Sequence, residues 1–285
     1  MATFSNIATL SYNNTTVNSN IVTGELQEVL AASKSSIPGT YTTDEAITYV
    51  VSIVNSGTNA FTGLTVTDDL GAYVLADETT TVYPLTYVVD SARFYVDGVL
   101  QATPTVTAGP PLVFTGINVP AGSNALLLYQ ARTNAFAPLA PDSTIVNNAT
   151  VSGGGLSEDV IGTATITLST EPVLRITKAL EPTVVTDNGE ITYTFTISNY
   201  STTPAVATDS VTLTDTFDPI IDINSVTLDG APWTVGTNYT YNTATGLFTT
   251  VPGAITVPAA TTTQNADGTW SITPGTATLI VSGTV

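Results

Sequence analysis

A nine-residue pattern that occurs twice constrains this chain more than any other feature. Ile47-Thr48-Tyr49-Val50-Val51-Ser52-Ile53-Val54-Asn55 returns as Ile191-Thr192-Tyr193-Thr194-Phe195-Thr196-Ile197-Ser198-Asn199. Three further pairs follow in the same order. Thr65-Val66-Thr67-Asp68 matches Thr212-Leu213-Thr214-Asp215, and Val96-Asp97-Gly98 matches Leu228-Asp229-Gly230. Ile117-Asn118-Val119-Pro120-Ala121 matches Ile255-Thr256-Val257-Pro258-Ala259. Shared order means a tandem duplication, so the chain holds two copies of one domain. Within each copy short runs alternate apolar and polar residues, the period of a strand with one buried face. Gly, Pro, Asn and Asp punctuate the runs as turns. The expected architecture is all-β, a pair of β-sandwiches of Greek-key type.

Composition agrees. A length of 285 residues suits two domains, and a 42% hydrophobic share with mean hydropathy +0.27 supplies cores for both. The apolar residues are mostly Val, Ile, Leu, Ala and Tyr, interleaved with Thr and Ser, a texture that favours strands. Asp and Glu number 23 against five Lys and Arg, a net charge of -18 that disfavours nucleic acid and anionic membrane as partners. Cysteine and histidine are absent, which excludes disulfides, thiolate zinc sites and catalysis by Cys–His or Ser–His–Asp. No cofactor or metal is expected. The opening Met-Ala-Thr-Phe-Ser-Asn lacks the basic and apolar regions of a signal peptide, and no apolar run is long enough to cross a bilayer.

Each copy carries a Lys, then Ile-Thr-Tyr-x-x-x-Ile-x-Asn, then Thr-x-Thr-Asp. This succession runs from Lys34 to Asp68 and again from Lys178 to Asp215. It resembles the conserved-repeat family called "domain of unknown function eleven". The resemblance covers nearly the whole chain and implies Ig-like sandwiches, often in tandem on bacterial and archaeal surface proteins. It assigns no activity. The organisation expected is an N-terminal arm over residues 1–23, an Ig-like domain over 24–170 and a second over 171–285.

The two copies end differently. In the first, Ala125-Leu126-Leu127-Leu128-Tyr129-Gln130-Ala131 is followed by a further strand, Thr144-Ile145-Val146-Asn147-Asn148-Ala149-Thr150-Val151-Ser152. In the second, the matching Ala277–Gly283 is followed only by Thr284 and Val285. A segment like the missing strand lies at the other end: Ser5-Asn6-Ile7-Ala8-Thr9-Leu10-Ser11 matches Val146–Ser152. Spacings agree. Lys34 and Lys178 are 144 residues apart, while the 107 residues from Lys178 to Val285 and the first 34 come to 141. Asn147 precedes Lys178 by 31 residues and Asn6 precedes Lys34 by 28. The expectation is an N-terminal donor strand (Phe4, Asn6, Ala8, Leu10, Tyr12) that enters the second domain of a neighbouring subunit, beside the Ala277–Gly283 strand or the Lys178 strand. In the free subunit the arm should be extended and poorly packed. Such a head-to-tail contact does not close on itself, so identical subunits would form an open filament.

Residues of one parity share a face of a strand. By that rule each copy aims a Lys, an Asp and an Asn at its core: Lys34, Asp68 and Asn147 in the first, Lys178, Asp215 and the donated Asn6 in the second. Lys34 and Lys178 are the only lysines in the chain. A buried ammonium is costly unless partnered. One reading is a Lys–Asn isopeptide bond assisted by the Asp, Lys34–Asn147 within the chain and Lys178–Asn6 between chains, similar to the bonds of sandwich domains in Gram-positive pili. The other is a buried Lys–Asp pair hydrogen-bonded to Asn that serves packing alone. Lesser signals are the triplets at Asn13, Asn148, Asn199 and Asn238 that fit the N-glycosylation pattern, and the acidic turns Asp68-Asp69 and Asp187–Glu190. Trp233 and Trp270 read as core or edge packing.

The function expected is therefore that of a non-enzymatic structural subunit of an extracellular filament at a cell or spore surface. The alternative is an adhesin or spacer module of a bacterial cell-surface protein, which would need complete domains.

Overall fold

The structure, a computed structural model, describes residues 2–26 and 29–285. The described residues form strands joined by turns, with one short 3-10 segment among them at Ala207–Asp209. Two compact units emerge: residues 1–39, 44–134 and 145–166 form the first, and residues 40–43, 135–144 and 167–285 the second.

The N-terminal arm contains β1 (Ala2–Asn6), β2 (Thr9–Tyr12), β3 (Thr15–Asn18) and β4 (Val22–Leu26). It is not the extended single strand expected. β1 pairs antiparallel with β4 and β2 with β3, so the arm is one long hairpin turned at Asn13-Asn14, both with positive φ. Two successive left-handed residues match the type I′ turn that suits a tight hairpin, and Asn tolerates that conformation. Backbone pairing within the arm satisfies donors that a lone strand would leave to water. Met1 of the arm lies outside the described residues.

The next strands are β5 (Leu30–Ile37), β6 (Thr40–Tyr41), β7 (Ala46–Asn55), β8 (Phe61–Asp68), β9 (Tyr73–Val74), β10 (Thr81–Val82) and β11 (Leu85–Tyr87). They are followed by β12 (Arg93–Val96), β13 (Val99–Gln101), β14 (Thr105–Thr107), β15 (Leu112–Val119), β16 (Asn124–Thr133), β17 (Thr144–Gly153) and β18 (Val160–Leu168). One sheet has the order β13-β12-β16-β7-β5, with β11 also on β16, and a second the order β14-β15-β8-β17-β18-β6. Alternation sets the core: Ile47, Tyr49, Val51 and Ile53 of β7 are buried, as are Val66 of β8, Phe114 of β15 and Leu127 and Tyr129 of β16.

Last come β19 (Leu174–Glu181), β20 (Glu190–Asn199), β21 (Thr214–Thr216), β22 (Asp222–Leu228), β23 (Ala231–Pro232), β24 (Tyr239–Asn242), β25 (Leu247–Thr250), β26 (Thr261–Gln264), β27 (Trp270–Thr273) and β28 (Gly275–Thr284). The order β19-β20-β28-β22-β23 reproduces β5-β7-β16-β12-β13, and β21-β25-β24 reproduces β8-β15-β14. The core again follows the repeat, with Ile191, Tyr193, Phe195 and Ile197 of β20 packed with Phe217, Phe248, Ile255, Val257 and Leu279. Trp233 packs against it, as expected. The repeated asparagine has a physical role in both units. Asn55 Nδ2 donates to the carbonyls of Asn59, Val119 and Pro120, and Asn199 Nδ2 to those of Thr203 and Pro258. Each thereby ties the end of one strand to the Val-Pro turn of the repeat, which explains why the two motifs recur together.

The units part company at one edge. The outer side of β8 is taken by β17 and then β18, whereas no strand among the described residues lies beyond β21. The difference is a two-stranded element rather than the single closing strand expected. It is also placed elsewhere than expected. β28, which holds Ala277–Gly283, is flanked by β20 and β22 and has no free edge, and β17 pairs with β8 rather than with the lysine-bearing β5.

Candidate functional site

The closed site sits between the two sheets of the first unit. β5 presents Lys34, β8 presents Asp68 and β17 presents Asn147, and all three are buried. The parity argument thus holds for this copy. Lys34 Nζ donates to Asp68 Oδ2 at 2.5 Å, with both side chains fully shielded from water. The other carboxylate oxygen, Asp68 Oδ1, accepts the Leu70 N–H at 2.8 Å. Tyr129, the β16 residue directly across from Tyr49 on β7, donates its hydroxyl to Asp68 Oδ2. Lys34 Nζ lies 4.7 Å from the centre of the Tyr49 ring. The lysine is thus paired, capped by an aromatic face and desolvated. Desolvation holds its pKa below the ordinary lysine value, against the opposing pull of Asp68. Burial drives the Tyr49 and Tyr129 hydroxyls the other way, above the usual tyrosine range, so both stay neutral.

Asn147 completes the group. Its Oδ1 accepts the Gly71 N–H at 3.2 Å, while its Nδ2 is buried with no hydrogen-bond partner. The Tyr49 hydroxyl is the other orphan of the cluster. A buried amide with its carbonyl polarised and its NH2 unpaired is a costly arrangement for packing alone. It is well suited to attack at the amide carbon. Gly71 owes its place to backbone conformation: its φ is +70°, and a Cβ there would lie 2.4 Å from Ile145 Cγ2. Sequence reasoning did not pick out Gly71, Tyr49 or Tyr129. The signal available was the Asp-x-x-Gly spacing after β8 and the tyrosine inside the repeated motif.

The second unit holds the same lysine and carboxylate in the open. Lys178 on β19 donates to Asp215 on β21 and lies 4.5 Å from the Tyr193 ring centre, as Lys34 does over Tyr49. Yet the Lys178 side chain is 42% exposed and that of Asp215 19%, where both partners of the first unit are at zero. Ile176, of the same parity as Lys178, is 55% exposed. The face is uncovered, because the edge occupied by β17 and β18 in the first unit has no strand here among the described residues. Asp215 itself points inward with Leu213 and Phe217, both buried. Val281 stands across from Tyr193 where the first unit has Tyr129.

Asn6, with Phe4, Ala8, Leu10 and Tyr12, is exposed on the arm, and the apolar members Phe4, Leu10 and Tyr12 are 59%, 63% and 55% accessible. The structure does not bring Asn6 to Lys178. Of the lesser signals, Asn199 is buried and committed to its turn carbonyls, and Asp69 accepts from Gly71 and Asn148. Asn188 at the second acidic turn has positive φ and donates its N–H to Val285.

No family model matches the chain, and no curated protein matches it. Among solved structures it is similar to the major pilin SpaD from Corynebacterium diphtheriae. That match has 14% identity, covers 85% of this chain and 58% of that one, and has a TM-score of 0.37. The pilus backbone RrgB from Streptococcus pneumoniae matches at 12% identity over 86% of this chain and 49% of that one, TM-score 0.35. A collagen-binding domain from a Staphylococcus aureus adhesin matches at 13% identity over 50% of this chain and 99% of that one, TM-score 0.29.

Proposed function

We propose that this chain is a structural subunit of an extracellular, pilus-like filament at a bacterial cell surface. Subunits join head to tail when the N-terminal arm of one enters the second unit of the next. The observation that carries the proposal is the contrast between the two lysine sites. The same Lys, Asp and Tyr are closed over by an Asn-bearing strand in one unit and exposed in the other, while a segment like that strand stands solvent-exposed on the arm. Unpaired strand edges beside uncovered apolar surface are templates for strand addition.

Closure of each site sets up a covalent lock. Lys34 passes a proton to Asp68, and the neutral amine attacks Cγ of Asn147. The new C–N bond forms as the carbonyl electrons move to Oδ1, which the Gly71 N–H stabilises. The Cγ–Nδ2 bond then breaks, protons relayed by Asp68 leave with the nitrogen, and one ammonia is released for each amide exchanged. Lys178, Asp215 and Asn6 of the neighbouring subunit repeat the chemistry between chains. The tests are an intact-mass measurement and a boiled denaturing gel. The first lock appears as loss of one ammonia per chain, abolished by Asn147→Ala. The second appears as a ladder that Lys178→Ala collapses to monomer. Deleting Met1–Asn14 should leave monomers. Filaments that form undiminished after the deletion refute arm donation. Filaments that boil down to unmodified chains refute the covalent lock and leave the lysines as ion-pair partners only.

The second reading, an adhesin or spacer module, would be favoured if the purified chain stays monomeric at all concentrations.

A further inference from the structure

In the first unit, β17 and β18 act together. β17 pairs with β8 and carries Asn147, while β18 follows it in the same sheet and packs over β5. There Gly162 presses on β5 so closely that a Cβ would lie 2.8 Å from the Ser33 carbonyl carbon and 2.9 Å from the Lys34 nitrogen. The second strand of this pair is thus seated directly on the lysine-bearing strand. A single strand in the place of β17 would supply the asparagine but leave β19 and Lys178 in contact with water. Its ammonium would then keep its hydration.

The arm has the same construction. Directly opposite residues of an antiparallel pair share a face. Asn6 stands opposite Val22, Phe4 opposite Gly24 and Leu10 opposite Val17. Phe4 and Val22 therefore share a face with Asn6, Leu10 and Val17 share one nearer the turn, and Phe4, Leu10, Val17 and Val22 are between 45% and 63% exposed. The hairpin also leads into β5 and Lys34 as the β17–β18 pair leads into β19 and Lys178.

We propose that the donated element is this whole hairpin, residues 2–26, and that its acceptor is the open edge of β21 and the exposed face of β19 in a second copy of this chain. The proposal rests on the filament reading above and specifies its interface. The first strand, β1 and β2, takes the place of β17, and the second, β3 and β4, takes the place of β18 and covers Lys178. The register follows from the first unit, where Ala149 stands opposite Asp68, Thr150 opposite Thr67 and Val151 opposite Val66. Carried over, Ala8 stands opposite Asp215, Thr9 opposite Thr214 and Leu10 opposite Leu213. Asn6 then projects toward the Lys178–Asp215 pair as Asn147 does toward Lys34–Asp68.

The test compares three full-length variants by sedimentation and negative-stain microscopy: Leu10→Asp on the first strand, Val22→Asp on the face of the second that carries Asn6, and Thr23→Asp on its opposite face. Hairpin donation predicts at least a tenfold loss of assembled protein for Leu10→Asp and Val22→Asp, and wild-type assembly for Thr23→Asp. If Val22→Asp assembles like wild type while Leu10→Asp does not, one strand is donated and the hairpin proposal is overturned. If both assemble, arm donation itself is wrong. Amide exchange of wild type guards against a variant that merely unzips the hairpin. Exchange across Val22–Leu26 should slow at least tenfold on assembly, and unchanged or faster exchange overturns the proposal.

Discussion

Neutralising the carboxylate at each lysine site should have very unequal consequences for a free subunit. The informative pair is Asp68→Asn and Asp215→Asn, each made in a chain lacking Met1–Asn14 so that the second site stays open. Both changes preserve shape and remove one charge. In the first unit the Lys34 and Asp68 side chains are wholly shielded. Removing one partner of a fully buried pair leaves an uncompensated ammonium and costs about 3–5 kcal/mol. In the second unit the Lys178 side chain is 42% exposed, so water compensates when Asp215 is lost. Pairs of that exposure contribute no more than about 1 kcal/mol. At about 3 °C of melting temperature per kcal/mol for domains of this size, Asp68→Asn should lower the transition of the first unit by about 10 °C or more. Asp215→Asn should move that of the second by no more than about 3 °C. Differential scanning calorimetry of the two-transition chain reads both. If the wild-type first unit carries the Lys34–Asn147 bond, the drop for Asp68→Asn is larger still. Equal drops for the two variants would sink the argument, because they would mean that the second site is as closed as the first.

Three further outcomes follow from the same geometry. In Asn147→Ala, where no bond can form, the native first unit binds fewer protons at Lys34 than the unfolded chain does, because burial lowers the lysine pKa. Stability should then rise with pH from neutrality toward about pH 10, where the lysine and tyrosines of the unfolded chain begin to titrate; a denaturation midpoint that falls between pH 7 and 9 contradicts this. Gly162→Ala drives a Cβ into the backbone of Ser33 and Lys34, so it should cost more than about 1 kcal/mol. Gly24→Ala meets only the Phe4 ring, which can swing aside, so a denaturant series should show it near neutral. Tyr129→Phe removes a donor to Asp68 and should destabilise by about 1.5–3 kcal/mol, the range for hydrogen bonds to charged groups; an unchanged midpoint would show that the contact is not formed.

The order of repeated motifs determined the class of fold and singled out the candidate site residues. Alternation in Ile47–Asn55 and Ile191–Asn199 is a local property, since a strand's period of two dictates which side chains meet a core whatever the core contains. The same parity placed Lys34, Asp68 and Asn147 on inner faces. Pairing partners are not local, and there the structure decided. That the arm closes on itself as a hairpin depends on which backbone groups find each other across the Asn13-Asn14 turn. That β17 lies on β8 and β18 on β17 depends on sheet order, which alternation does not encode. Above all, burial of a charge is a property of everything packed around it. Lys34 and Lys178 are equivalent in sequence, yet one is sealed and the other half in water, because desolvation comes from the neighbouring strands and only one unit has them in place.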